Sequence, residues 1–144
     1  MSVHFFNEGS NFKIEGKRVL KNWIKYIVLQ EGKSVGNINF IFSNDEYVLE
    51  INKVYLNHDY FTDIITFNYN QGTILNGDIY ISVDTVRGNA ELYNVTFEFE
   101  IQRVIIHGIL HLVGFDDTTD ALKSEMKEQE DKALTLLITK FLTK

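Results

Sequence analysis

Val104-Ile105-Ile106-His107-Gly108-Ile109-Leu110-His111-Leu112-Val113-Gly114-Phe115-Asp116-Asp117 is an apolar stretch with two histidines set into it. They are four residues apart, so on a helix both imidazoles project from one face, one turn apart. Gly114 follows three residues after His111 and can end the helix in a left-handed conformation. The chain then turns back, which brings Asp117 within reach of an ion held by the histidines. Two neutral imidazoles and one carboxylate make a divalent-metal site with one position left for water. A lone histidine on an apolar face is usually a satisfied core residue. Two at this spacing would each need a buried polar partner. The expected metal ligands are therefore His107, His111 and Asp117.

The pattern is close to the zincin signature His-Glu-x-x-His-x-x-Gly-x-x-His, with two departures. Asp117 replaces the third histidine. Gly108 stands where the peptidases carry the glutamate that activates water. Glycine has no side chain for that task, so ordinary peptidase chemistry is disfavoured.

The same stretch resembles the signature of the YbeY family, His-Gly-x-Leu-His-Leu-x-Gly-Tyr/Phe-Asp-His. The match runs from His107 to Asp116 and departs at the last ligand, Asp117. Thr62-Asp63-Ile64-Ile65-Thr66-Phe67 and Gly77-Asp78-Ile79-Tyr80-Ile81-Ser82 are similar to the family's Thr-Asp-Val-Leu-Ser-Phe and Gly-Asp-Ile-x-Ile-Ser blocks. Met126 and Glu130 resemble its terminal Met-x-x-x-Glu block. One family feature is missing: an arginine common just before the Thr-Asp block aligns here with Leu56. Its role does not carry over. His58, two residues on, either substitutes in part or is a surface loop residue.

The chain has 144 residues and a net charge of -6, with 44% hydrophobic and 13% aromatic residues. That composition fits one globular domain, 1–144, with a substantial core. There is no cysteine, which excludes a disulfide-linked partner and a thiolate metal site. No basic segment followed by a long apolar run opens the chain, and no stretch has membrane-spanning length, so the expected location is cytoplasmic. The negative charge disfavours non-specific nucleic-acid binding, so an RNA enzyme of this charge needs a local basic patch. Lys17, Lys21 and Lys25, with Arg18 beside them, form the one basic stripe in the sequence. It is read as a solvated helix face, with a track for RNA phosphates as the functional alternative.

Along the chain, Val3–Phe6, Val35–Phe42, Thr62–Phe67 and Gly77–Ser82 read as strands. Lys17–Gln30 reads as a helix, with Val19, Leu20, Trp23, Ile24, Ile27 and Val28 at helical spacing. Ser43-Asn44-Asp45-Glu46 reads as a capping box opening a second helix, with Tyr47, Val48, Ile51, Val54 and Tyr55 toward the core. A short helix spans Asp84–Leu92, and the histidine helix begins at Val95 or Thr96. A final helix after Thr118-Thr119-Asp120 presents Leu122, Met126, Ala133, Leu134, Leu137 and Phe141, and is read as core packing only.

Arg103 lies one turn before His107 on the histidine face. It is a candidate catalytic cation or the partner of a nearby carboxylate. Asp116 is the candidate catalytic base, or else the brace of a ligand imidazole. The sum is an α+β protein; the resemblance implies a zincin-like fold, a small mixed four-stranded sheet packed with helices, with the metal site on one helix and the following turn. It also implies a metal-dependent endoribonuclease of ribosomal RNA maturation and ribosome quality control, with ribosomal RNA and the small ribosomal subunit as partners. One Zn2+ is the default ion, though this ligand set also suits iron, nickel or manganese. The alternatives are a metallohydrolase of peptides or small molecules, and a non-catalytic assembly factor with a structural metal.

Overall fold

Ile38, Phe40 and Phe42 alternate on one side of a strand, and all three are fully or almost fully buried. They lie in the centre of a sheet that a computed structural model describes within residues 2–142. The elements in order are β1 (Val3–Glu8), α1 (Lys17–Gln30), β2 (Ser34–Ser43), α2 (Asp45–Leu56), β3 (Ile64–Asn68), β4 (Ile74–Ser82), α3 (Val83–Leu92), α4 (Phe97–Val113) and α5 (Asp120–Leu136). A π-helical turn, Leu137–Phe141, continues α5. The sheet order is β1-β2-β4-β3. β1 and β4 run parallel to β2, while β3 runs antiparallel to β4 and forms one edge. This is the mixed four-stranded sheet of an α+β fold.

One face of the sheet carries the main core. Trp23, Ile24 and Val28 of α1, Ile79 and Ile81 of β4, and Ile105, Ile106 and Ile109 of α4 belong to it, all fully buried. The buried Trp23 indole donates to the Ala133 carbonyl at 2.9 Å, which ties α1 to α5 and leaves no polar atom stranded. On the other face α2 packs on the sheet through Tyr47, whose ring lies 6.2 Å from that of Tyr80.

Three sequence expectations shift. The cap of α2 is Asn44, whose side chain accepts from the Tyr47 N–H at 2.8 Å. Ser43 still belongs to β2, and its hydroxyl donates to the Glu8 carbonyl of the paired strand. Val54 and Tyr55 are exposed, because the inward face of α2 is carried by Val48 and the buried amide Asn52. Thr62 and Asp63 precede β3, which begins at Ile64.

Helix α4 is seated by both its ends. The Thr96 hydroxyl accepts from the Phe99 N–H, and Glu98 and Glu100 lie in the first turn, where the helix dipole favours acids. At the other end the Phe115 N–H reaches back to the Leu110 carbonyl across Gly114, whose φ is 127°. Asn70, in the β3–β4 turn, donates to the Leu112 carbonyl at 2.8 Å. Gly108 lets the helix lie close on the sheet. A Cβ there would stand 3.1 Å from atoms of Ile64 and Ile79.

Candidate metal centre

Helical spacing delivers His107 and His111 to one face of α4, and the Gly114 turn brings Asp117 back over them. His107 Nε2 lies 3.0 Å from His111 Nε2. Asp117 Oδ2 lies 3.4 Å from the first and 3.5 Å from the second. A tetrahedral ion with bonds of about 2.0–2.1 Å needs ligand atoms roughly 3.3 Å apart. The observed triangle brackets that edge, so these three residues fit a single divalent ion.

His107 has a second partner that fixes its tautomer. Its Nδ1 lies 2.6 Å from Glu130 Oε2 on α5. With Nδ1–H donated to the carboxylate, the Nε2 lone pair points at the metal position, which is how carboxylates orient ligand imidazoles. Burial disfavours the charged ring of His107. The Glu130 hydrogen bond and charge, with Asp117 and Asp63, outweigh that and raise its pKa above the ordinary value. Burial and the adjacent His107 push His111 below it. Burial also raises the Asp63 carboxyl, against the pull of His107.

Arg103 does not reach the histidines as a free cation. Its guanidinium donates to Glu130 Oε1 at 2.6 Å and to Asp131 Oδ1 at 2.8 Å. It therefore meets the metal centre through Glu130, the carboxylate that holds His107. Asp116 is exposed; its Oδ1 accepts from the Asp117 N–H at 2.7 Å and its Oδ2 from the Thr118 hydroxyl at 3.4 Å. These bonds shape the turn that presents Asp117.

Glu130 is the residue that periodicity missed. It is 7% exposed inside a helix read as core packing, and the one sequence signal for it is the Met-x-x-x-Glu block. His58 also gains a place: it lines a cavity with His111. Lys17 and Lys25 face outward, while the Lys21 ammonium stands 5.9 Å over the Phe5 ring.

A histidine pair on a helix, a carboxylate from the following turn and a mixed sheet beneath define a zincin-like protein with a cluster that could hold a metal ion. The family described as Endoribonuclease YbeY matches residues 4–137, and this chain belongs to it. An Endoribonuclease YbeY of Flavobacterium psychrophilum is 47% identical over 94% of this chain and 96% of its own length. Those of Bacteroides thetaiotaomicron and Parabacteroides distasonis are 47% and 43% identical, over 99% and 96% of their lengths and 94% and 95% of this chain. The solution structure of TM1509 from Thermotoga maritima superposes with a TM-score of 0.67 at 32% identity. That match covers 94% of this chain and 88% of the other. Among the described residues, no helix is long and apolar enough to cross a membrane.

Proposed function

We propose that this chain is a metal-dependent endoribonuclease of ribosomal RNA maturation, acting as one domain, with His107, His111 and Asp117 holding one ion. The observation that carries this reading is the convergence of two Nε2 atoms and one carboxylate oxygen in a chain of the YbeY family. Zinc is the ion the nitrogen and oxygen donors suit first. When bound, it lowers the pKa of water toward neutrality and polarises a phosphoryl oxygen.

The residues around the ligands divide the remaining work. Glu130 keeps the His107 proton on Nδ1 and so leaves Nε2 for the ion. Arg103 neutralises Glu130 and fixes its rotamer, and in this reading acts as a positioning residue. Asp116 orders the turn through the Asp117 N–H and is the exposed carboxylate nearest in sequence to receive a proton. Gly108 has no side chain and lies against Ile64 and Ile79, so position 108 supplies no peptidase base. This argues against a peptidase and for a substrate, such as RNA, that needs no glutamate there. Ribosome quality control on the small subunit, in the cytoplasm, is the setting this reading implies.

Cleavage of ribosomal RNA by metal-replete wild type and by His111→Ala, both shown to be folded, tests the function. Wild type should cleave and the variant should not; equal cleavage would overturn the reading. Elemental analysis of protein purified without added metal tests the ion.

A further inference from the structure

Beside His111, along edge strand β3, the surface opens into a cavity of about 410 Å³. Pockets for small ligands begin at roughly 300 Å³. Asn52, His58, Tyr60, Thr66, Asn68 and His111 are among its lining residues. Among the described residues, no aspartate, glutamate, lysine or arginine lines it. The lining offers amides, hydroxyls and rings beside the apolar Leu56, Ile64, Ile65 and Leu112, which suits a flat, neutral, hydrogen-bonding group rather than a phosphate.

One wall is an aromatic slab. The His58 and Tyr60 rings stack with centroids 5.1 Å apart and planes 20° from parallel. The Tyr60 hydroxyl and His58 Nδ1 are bonded at 3.0 Å, which locks the two rings together. The loop carrying them has no regular structure, yet Asn52 pins it twice. The Asn52 carbonyl accepts from the His58 N–H at 3.1 Å, and its side-chain amide donates to the Tyr60 carbonyl at 3.0 Å. Asn52 itself is 2% exposed. A buried amide thus holds an exposed ring pair in place before any ligand arrives; Tyr60 remains 55% exposed.

Exposed, fixed aromatic rings are how proteins hold unpaired bases, because every base has a π-face and side chains cannot read the deep groove of an RNA helix. We propose that this cavity is a nucleobase subsite. The base next to the cleaved phosphate leaves its stack, lies on the Tyr60–His58 slab, and meets the exposed amide of Asn68. Its phosphate is thereby carried to the His107–His111–Asp117 cluster, since His111 belongs to both. This rests on the endoribonuclease reading and adds which side chains hold the base beside the cut.

The test uses metal-replete protein and a short single-stranded RNA carrying 2-aminopurine at each position in turn. Fluorescence read immediately after mixing reports stacking; product formation reports cleavage. At one position wild type should quench the probe. Tyr60→Ala should lose that quenching and raise KM by roughly 5- to 150-fold, the loss expected for one stacked base. The loss should fall on KM rather than kcat. Tyr60→Phe, which keeps the ring, should retain the quenching. Replacing that nucleotide by an abasic ribose should weaken wild type to the level of Tyr60→Ala and cost the variant nothing more. A Tyr60→Ala protein with wild-type KM and quenching, or an equal loss on both RNAs, would overturn the subsite. Wild type that quenches without cutting would support the subsite and overturn the endoribonuclease reading. Wild type that neither quenches nor cuts overturns both.

Discussion

Glu130 on α5 holds the His107 ring of α4 by its Nδ1, at 2.6 Å, and with its other oxygen holds Arg103, also at 2.6 Å. The His107 ring is thus oriented by a carboxylate 23 residues away on another helix, and that carboxylate is oriented by a cation one turn before the histidine. Glu130→Gln keeps the shape and removes the charge. We expect metal affinity to fall by about 10- to 100-fold, the usual effect of losing such a partner. Chelator competition on folded variant and wild type measures it; unchanged affinity would leave Glu130 a purely structural residue.

Gly108 gives a second prediction. The helix lies on β3 and β4 so closely that a Cβ at 108 meets Ile64 and Ile79 at 3.1 Å. Gly108→Glu restores the zincin sequence pattern, but its side chain would start against Ile64 and Ile79, where the sheet leaves little room for a Cβ. The variant should lose about 1–3 kcal/mol of stability from overpacking. It should gain no peptidase activity. Urea unfolding and a casein assay check the two halves; a stable, proteolytic variant would show that the position can face the site.

How much of this was legible in the sequence depends on what each feature needs. His107, His111 and Asp117 needed only helical spacing and a glycine that ends the helix, and both are local. Glu130 could not be placed by spacing, because its partnership with His107 exists only once α5 packs on α4. Arg103 could be read either way from one helix, and α5 supplies the two carboxylates that hold it. Val54 and Tyr55 share the helical period of core residues, yet α2 turns their face outward. His58 and Tyr60 read as polar loop because their order comes from Asn52, a buried amide of α2 that no local sequence pattern marks.

Glu100 gives a pH prediction away from the metal ligands. It is 4% exposed in the first turn of α4, and burial raises its pKa above the ordinary carboxylate value, with Arg103 pulling it down. A carboxyl whose pKa is higher folded than unfolded binds protons more tightly in the native state. Its contribution to stability is therefore full below the unfolded pKa and is lost as pH rises through the folded one. Glu100→Gln stays neutral throughout. The stability of the variant relative to wild type should rise with pH, starting from about pH 4, near the unfolded carboxylate value. Urea midpoints across that range measure it; a flat difference would show that Glu100 titrates alike folded and unfolded, and a falling one that the fold lowers its pKa.

Asp117 gives the last prediction, because it is where this chain departs from the family signature. The carboxylate arrives from a turn rather than from the helix, 3.4 and 3.5 Å from the two imidazole nitrogens. It is a harder donor than imidazole and brings a negative charge, so it widens the range of metals the site accepts toward the harder ones. Asp117→His removes that charge and gives three imidazoles. The turn is ordered by Asp116 accepting the residue-117 N–H, a bond the substitution leaves intact. The variant should keep one ion and, in zinc–manganese competition, shift its preference further toward zinc than wild type. Asp117→Ala should lose the ion. Elemental analysis of both variants on the same preparation reads the outcome. Full occupancy in Asp117→Ala would remove residue 117 from the ligand set and make Asp116, the neighbouring carboxylate, the next to replace.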